Sequence, residues 1–146
     1  MGFLEKSVVV KRPIQEVFAA AADFSNSPQI MEPVVAVELL TDGPVRKGYQ
    51  FKEIREIRGR KVPSIIEVTE FDENVKYAVR SRQQGIELNY FYTFTQTSEG
   101  TRIDFNGELI TEGIRNKLAK PFLQKIIKKE DQNHLEHLKD YIENGQ

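Results

Sequence analysis

The segment YQFKEIREI, Tyr49 to Ile57, sets Phe51, Glu53, Arg55 and Ile57 at alternate positions, with Ile54 opposing them. Side chains on a strand alternate between its two faces, so a carboxylate and a guanidinium two residues apart lie side by side. If the Phe51 row faces inward, Glu53 and Arg55 form a pair in the interior that could move protons. If the strand is an edge strand, both charges are solvated; alternation leaves the two placements open. Further on, IELNYFYTFTQ puts Leu88, Tyr90, Tyr92 and Phe94 on one face and leaves Phe91 among polar residues on the other. Buried phenol hydroxyls need partners, so two on one face supply either a core network or a polar handle for a bound molecule. Glu53, Arg55, Tyr90 and Tyr92 are thus the candidate catalytic residues, although no recognised catalytic constellation joins them.

Other chemistries find less. His134 and His137 are the only histidines, one helical turn apart, with Glu130 a turn earlier, but this is an incomplete metal set. His137 falls on the solvated side of its segment and His134 at the edge of the apolar stripe, and no metal or cofactor is expected. With no cysteine, disulfides, thiolate catalysis, Cys-based zinc sites and iron–sulfur ligation are excluded. No Ser/His/Asp pattern, phosphate-cradling glycine loop or dinucleotide fingerprint occurs.

The elements that must position these residues are legible in order. FLEKSVVVK reads as a first strand. From Pro13, the residues Ile14, Val17, Phe18, Ala21 and Ala22 follow a helical stripe that stops at DFSNSP. Six β-rich runs follow: VVAVELL, GYQFKEIREI, VPSIIEVTEF, KYAVRSRQQ, IELNYFYTFTQT and TRIDFNGELIT. Their joints are short and polar, which implies an antiparallel meander with no room for crossover helices. From Ile114 to Glu143 one long helix is expected, with Leu118, Phe122, Ile126 and Ile127, then His134, Leu135, Leu138, Tyr141 and Ile142, on or near one stripe. Such a helix needs a surface to lie on, and the concave face of the sheet supplies one. The class is α+β: a curved antiparallel sheet of about seven strands, in the order β-α-α-β6-α.

At 146 residues, with 39% hydrophobic and 29% charged, a single domain over 1–146 with one core is expected. A formal charge of −1 exerts no global pull on nucleic acid, and no nucleic-acid partner is expected. The opening MGFLEKSVVVKRP has an acid at Glu5 and no uninterrupted apolar stretch of signal-peptide length, and no run approaches the ~18 residues of a membrane span. A cytoplasmic location is expected; the oligomeric state is not legible.

The segment VVVKRPIQEVFAAAADFSNSPQIMEPVVAVELL, the hairpin SEGTRIDFNGEL and the tail LKDYIEN together resemble the START-like, helix-grip superfamily. Within it they are similar to the polyketide cyclase/dehydrase and lipid-transport type of small bacterial protein. The resemblance spans nearly the whole chain and is carried by structural motifs, on a scaffold that hosts several activities. Many members place an aromatic in the short second helix, where this chain has Ile30 and Met31 between Pro28 and Pro33 and no tryptophan anywhere.

The resemblance implies a cavity between sheet and C-terminal helix. The strand alternation then proposes its wall: Phe51, Ser64, Ile66 and Val68; Tyr77, Val79 and Ser81; Tyr90, Tyr92 and Phe94; Phe105 and Leu109. Phe24, Ile30 and Met31 from the short helices, and Phe122, Ile126 and Ile127 from the long one, complete it. Each also suits plain core packing. The function so implied is binding or transport of a small hydrophobic or amphipathic ligand, lipid or polyketide-like. The alternatives are an enzyme of cyclase, dehydrase or aromatase type, and a protein-partner or chaperone-cofactor module seeded on the outer sheet face at Phe91 and Ile54. Finally, Arg115, Lys117, Lys120, Lys125, Lys128 and Lys129 crowd one half of the long helix with no acid among them. Glu130, Asp131, Glu136, Asp140 and Glu143 fill the other, the reverse of what a helix dipole favours. The basic half is either a solvated face or, around Lys125, Lys128 and Lys129, an attractor for an anionic headgroup, carboxylate or membrane surface.

Overall fold

A computed structural model describes residues 2–144. The chain runs β1 (Leu4–Val10), α1 (Ile14–Ala21), a 3-10 turn at Phe24–Asn26, α2 (Ser27–Ile30), β2 (Val34–Leu39), β3 (Gln50–Ile57), β4 (Arg60–Asp72), β5 (Lys76–Gln83), β6 (Ile86–Thr97), β7 (Gly100–Thr111), α3 (Ile114–Asp131) and α4 (His134–Glu143). The strands form one antiparallel seven-stranded sheet in the order β1-β7-β6-β5-β4-β3-β2. Two of its hairpins close through two-residue loops, Arg58-Gly59 and Gln84-Gly85, in which both residues have positive φ. That is the turn whose twist matches its flanking strands, so it fixes the register that alternation alone cannot.

Pro13 precedes α1, whose Val17, Phe18 and Ala21 are buried. Phe18 meets Phe71, Tyr77 and Phe94 edge-on at centroid distances of 5.0–5.9 Å, and this aromatic group is the core beneath α1. α4 lies against β1 and α2 through Leu135, Leu138 and Ile142. Its far end is tied down where Arg12 Nη2 donates to the Glu143 carbonyl at 2.7 Å and the Lys11 amide donates to the Glu143 carboxylate at 2.8 Å. α2 is fastened to the same helix by His137 Nδ1 donating to the Ile30 carbonyl at 3.0 Å and Tyr141 donating to Asn26 Oδ1 at 2.9 Å. His137 is therefore half-buried and engaged, not solvated.

The C-terminal segment departs from the expected single helix. It breaks at Gln132 and Asn133, and the two pieces treat the sheet differently. Leu118, Phe122 and Ile126 do not face the sheet. With Ile114 they make an i, i+4 row on the outer side of α3, and Ile114 is 80%, Leu118 79% and Phe122 64% exposed. The inward side carries the half-buried Leu123 and Ile127. Residues 122 and 123 stand about 100° apart on a helix, so the two rows cannot both meet the sheet.

Candidate functional site

The curved sheet, the 3-10 turn, α2 and α4 enclose a cavity of about 240 Å³. That is about eight water volumes at ~30 Å³ each, below the ~300–1,000 Å³ typical of drug-sized ligand pockets. Phe24, Ile30 and Met31 close one side. Phe24 stacks on Phe51 of β3 at 4.4 Å, which pins this flap to the sheet. Ser64 and Ile66 of β4, Tyr77, Val79 and Ser81 of β5, and Leu88, Tyr90 and Tyr92 of β6 form the floor, and Leu138 and His134 of α4 the roof.

β3 settles the ambiguous register. It lies between β2 and β4, so it is not an edge strand, and its Phe51 row faces inward. Glu53 goes with that row and is only 6% exposed. Arg55 Nε donates to Glu53 Oε1 at 3.2 Å, and its Nη1 donates to Asp131 Oδ1 at 3.1 Å and to Glu130 Oε1 at 3.4 Å. The Tyr90 hydroxyl donates to the other Asp131 oxygen, Oδ2. Asp131 ends α3 and His134 begins α4, so the break between the helices delivers both groups to the cavity.

The imidazole completes the chain of contacts. His134 Nδ1 lies 2.7 Å from the Asp131 carbonyl, which can only accept, so Nδ1 carries a proton. Burial lowers the His134 pKa against the raising effect of that carbonyl, so the ring is neutral and Nε2 accepts from the Tyr92 hydroxyl at 2.9 Å. Phe105 stands behind this group, edge-on to His134 at 4.5 Å and to Tyr90 at 4.9 Å. Gly107 pairs with Tyr90 across the β6–β7 ladder, and a Cβ there would come within 3.0 Å of the Tyr90 ring. Glycine is thus what lets that ring lie on the sheet.

Burial shapes the acidities. It raises the Glu53 carboxyl above its ordinary value, only partly offset by Arg55. It would lower Arg55, but the Asp131 and Glu53 carboxylates outweigh it and hold the guanidinium charged. Burial, then the Asp131 charge, raises Tyr90; Tyr92 is raised by burial first and Tyr77 second. The arrangement can therefore hold a polar group and exchange a proton with it at Glu53.

All four candidate catalytic residues converge at this end of the cavity. Val68, Phe94, Phe105 and Leu109 do not line it; they are buried core beside or behind it. Phe122 and Ile126 lie on the outer side of α3, and Ile127 packs against the core without reaching the cavity. Sequence reasoning placed His134 only at the edge of the stripe and gave Asp131 no role. The signal was there: Asp131 falls on the same helical row as Ile127, His134, Leu135 and Leu138, and an acid on an apolar row needs a buried partner.

A curved antiparallel sheet closed by a C-terminal helix is the helix-grip architecture of START-like proteins. The chain belongs to the polyketide cyclase / dehydrase and lipid transport family, whose model matches residues 1–143. Among curated proteins no sequence match was found. Of solved structures, TTHA0849 from Thermus thermophilus is similar over 98% of each chain at 18% identity, with a TM-score of 0.77. The Zhui aromatase/cyclase from Streptomyces sp. R1128 is similar over 97% of this chain and 93% of its own, at 16% identity and a TM-score of 0.78. These likenesses establish the fold. Among the described residues, no helix is long and apolar enough to cross a membrane.

Proposed function

We propose that the protein binds a small, mainly apolar molecule with one polar group, or the end of a longer amphipathic one, in the cavity. The observation that carries this is its lining: mostly aromatic and aliphatic walls, with Glu53, Arg55 and Tyr90 joined through Asp131 at one end. Native mass spectrometry of the protein purified from its own host tests it. A co-purifying small molecule that the Ile66→Trp variant, filling the cavity, no longer retains is the expected result. Equal retention by both forms would sink the reading.

A second reading, acid–base chemistry of the cyclase or dehydrase type, draws on the convergence of Glu53, Arg55, Tyr90 and Tyr92. It is distinguished by incubating the recovered molecule with protein: loss of water or a changed ring pattern marks an enzyme, unchanged mass and spectrum a carrier.

The outer side of α3 supports one further element of this reading, docking on an anionic bilayer. Its exposed apolar row is bordered by Lys117, Lys125, Lys128 and Lys129, and no acid occurs between residues 113 and 129. An amphipathic helix of that kind seats apolar side chains at the lipid boundary while its cations meet headgroups, each contributing about 1 kcal/mol. Co-sedimentation with phosphatidylserine-containing vesicles at low salt is expected, and reversal of Lys125, Lys128 and Lys129 to glutamate should abolish it. Unchanged sedimentation would refute the docking.

A further inference from the structure

We infer that the cavity selects a molecule whose polar group is a protonated amine, and discriminates against a carboxylate. The inference rests on the cavity being a binding site, and it follows from counting what the polar end has left to offer. The donors around Arg55 are largely committed, the neutral Ser64 hydroxyl opposite Glu53 on β4 excepted. Tyr90 gives its proton to Asp131, Tyr92 gives its proton to His134, and His134 Nδ1 gives its proton to a backbone carbonyl. Arg55 has spent Nε and Nη1 on three carboxylates, and its Nη2 points at the Met31 sulfur 3.9 Å away.

The acceptors are not exhausted. Glu53 uses Oε1 on Arg55, while Oε2 has no hydrogen-bond partner among the described residues, although its side chain is only 8% exposed and lines the cavity. The charges point the same way: Glu53, Glu130 and Asp131 share the Arg55 guanidinium, the other cavity-lining arginine, Arg80, is paired with Glu67, and His134 is neutral. A buried carboxylate in net surplus is costly unless a cation joins it, so an ammonium group at Oε2 completes the network. A ligand carboxylate placed there would instead meet two buried carboxylates and gain only the Nη2 hydrogens and the neutral Ser64 hydroxyl.

Benzylamine, benzyl alcohol and benzoate form a probe series of similar size that varies only the polar group. Titration calorimetry at neutral pH is expected to show benzylamine binding at least tenfold more tightly than benzoate, with the alcohol between. Glu53→Gln, which keeps the shape, should erase the preference. Benzoate binding as well as benzylamine, or a preference that survives in Glu53→Gln, overturns the inference while leaving the cavity reading standing. Failure of all three to bind wild-type protein overturns both. Should Glu53→Gln not fold, the wild-type ranking decides together with the Glu53 carboxyl carbon-13 resonance. That resonance must shift with benzylamine and stay in place with benzoate; a shift with benzoate, or no shift with benzylamine, counts against the inference.

Discussion

The two C-terminal helices, adjacent in sequence, are held by opposite means. α4 buries Leu135, Leu138 and Ile142 against the sheet and α2, as a gripping helix should. α3, nearly twice as long, has Asp131 as its only fully buried side chain, and its apolar row Ile114, Leu118 and Phe122 faces out. Its two ends carry the polar attachments: Asn116 donates to the Gln84 and Glu112 carbonyls at 2.9 Å, and Glu130 and Asp131 meet Arg55. One helix is fixed by apolar area, the other by hydrogen bonds and charge at its ends. Where the two join, the ionic attachment of α3 is also the polar end of the cavity, so the device that positions the helix is the one that would meet a ligand.

This contrast can be broken by substitution. The largest effect is expected from Asp131→Ala, which strips Arg55 and Tyr90 of a shared buried partner and should cost about 3–5 kcal/mol in urea unfolding. A loss under about 1 kcal/mol would show that the network does not hold α3. Leu135→Ala, a cavity-forming change in α4, should cost about 2–5 kcal/mol in the same measurement. For Lys128→Ala, stability should hold while affinity for phosphatidylserine vesicles falls about fivefold, matching roughly 1 kcal/mol per charge; a stability loss instead would place that lysine in the fold's ionic network.

A pH series sharpens the comparison at Glu53. Its folded pKa lies above the ordinary value of 4.5, so the folded state holds a proton that the unfolded state releases as pH rises past that value. The stability this contributes is complete below about 4.5 and declines as pH climbs through the folded pKa. Thermal unfolding from pH 4 to neutrality should therefore show Glu53→Gln gaining on the wild type as pH rises, and a difference independent of pH would contradict the burial argument. The smallest effect belongs to Leu118→Ala, expected within about 0.5 kcal/mol because its side chain is already in solvent. A core-sized loss there would mean that the outer face of α3 is covered.

Local patterns carried most of the fold. Six alternating runs on short polar joints could only be a meander, and the Pro13 start and DFSNSP stop bracket α1 because proline and the capping residues act within a turn of where they stand. The aromatic rows of β5 and β6 were legible for the same reason, and Tyr77, Tyr90 and Tyr92 all line the cavity. The pair Ile30 and Met31 was legible as a closing wall, since an apolar pair between two prolines needs something to cover.

Long-range packing settled the rest. YQFKEIREI fits either face of a sheet equally well, and Glu53 and Arg55 became an interior pair only when β2 covered the edge of β3 and the sheet curved round the Phe51 row. The C-terminal segment offers two apolar rows about 100° apart, and helical propensity is blind to which one is buried. The break at Gln132 and Asn133 turned the inner row toward the sheet and carried Asp131 to Arg55 across 76 residues of chain. Helix, strand and turn follow from neighbours a few residues away. Which face is buried, and which charge meets which, depends on partners that only folding brings together.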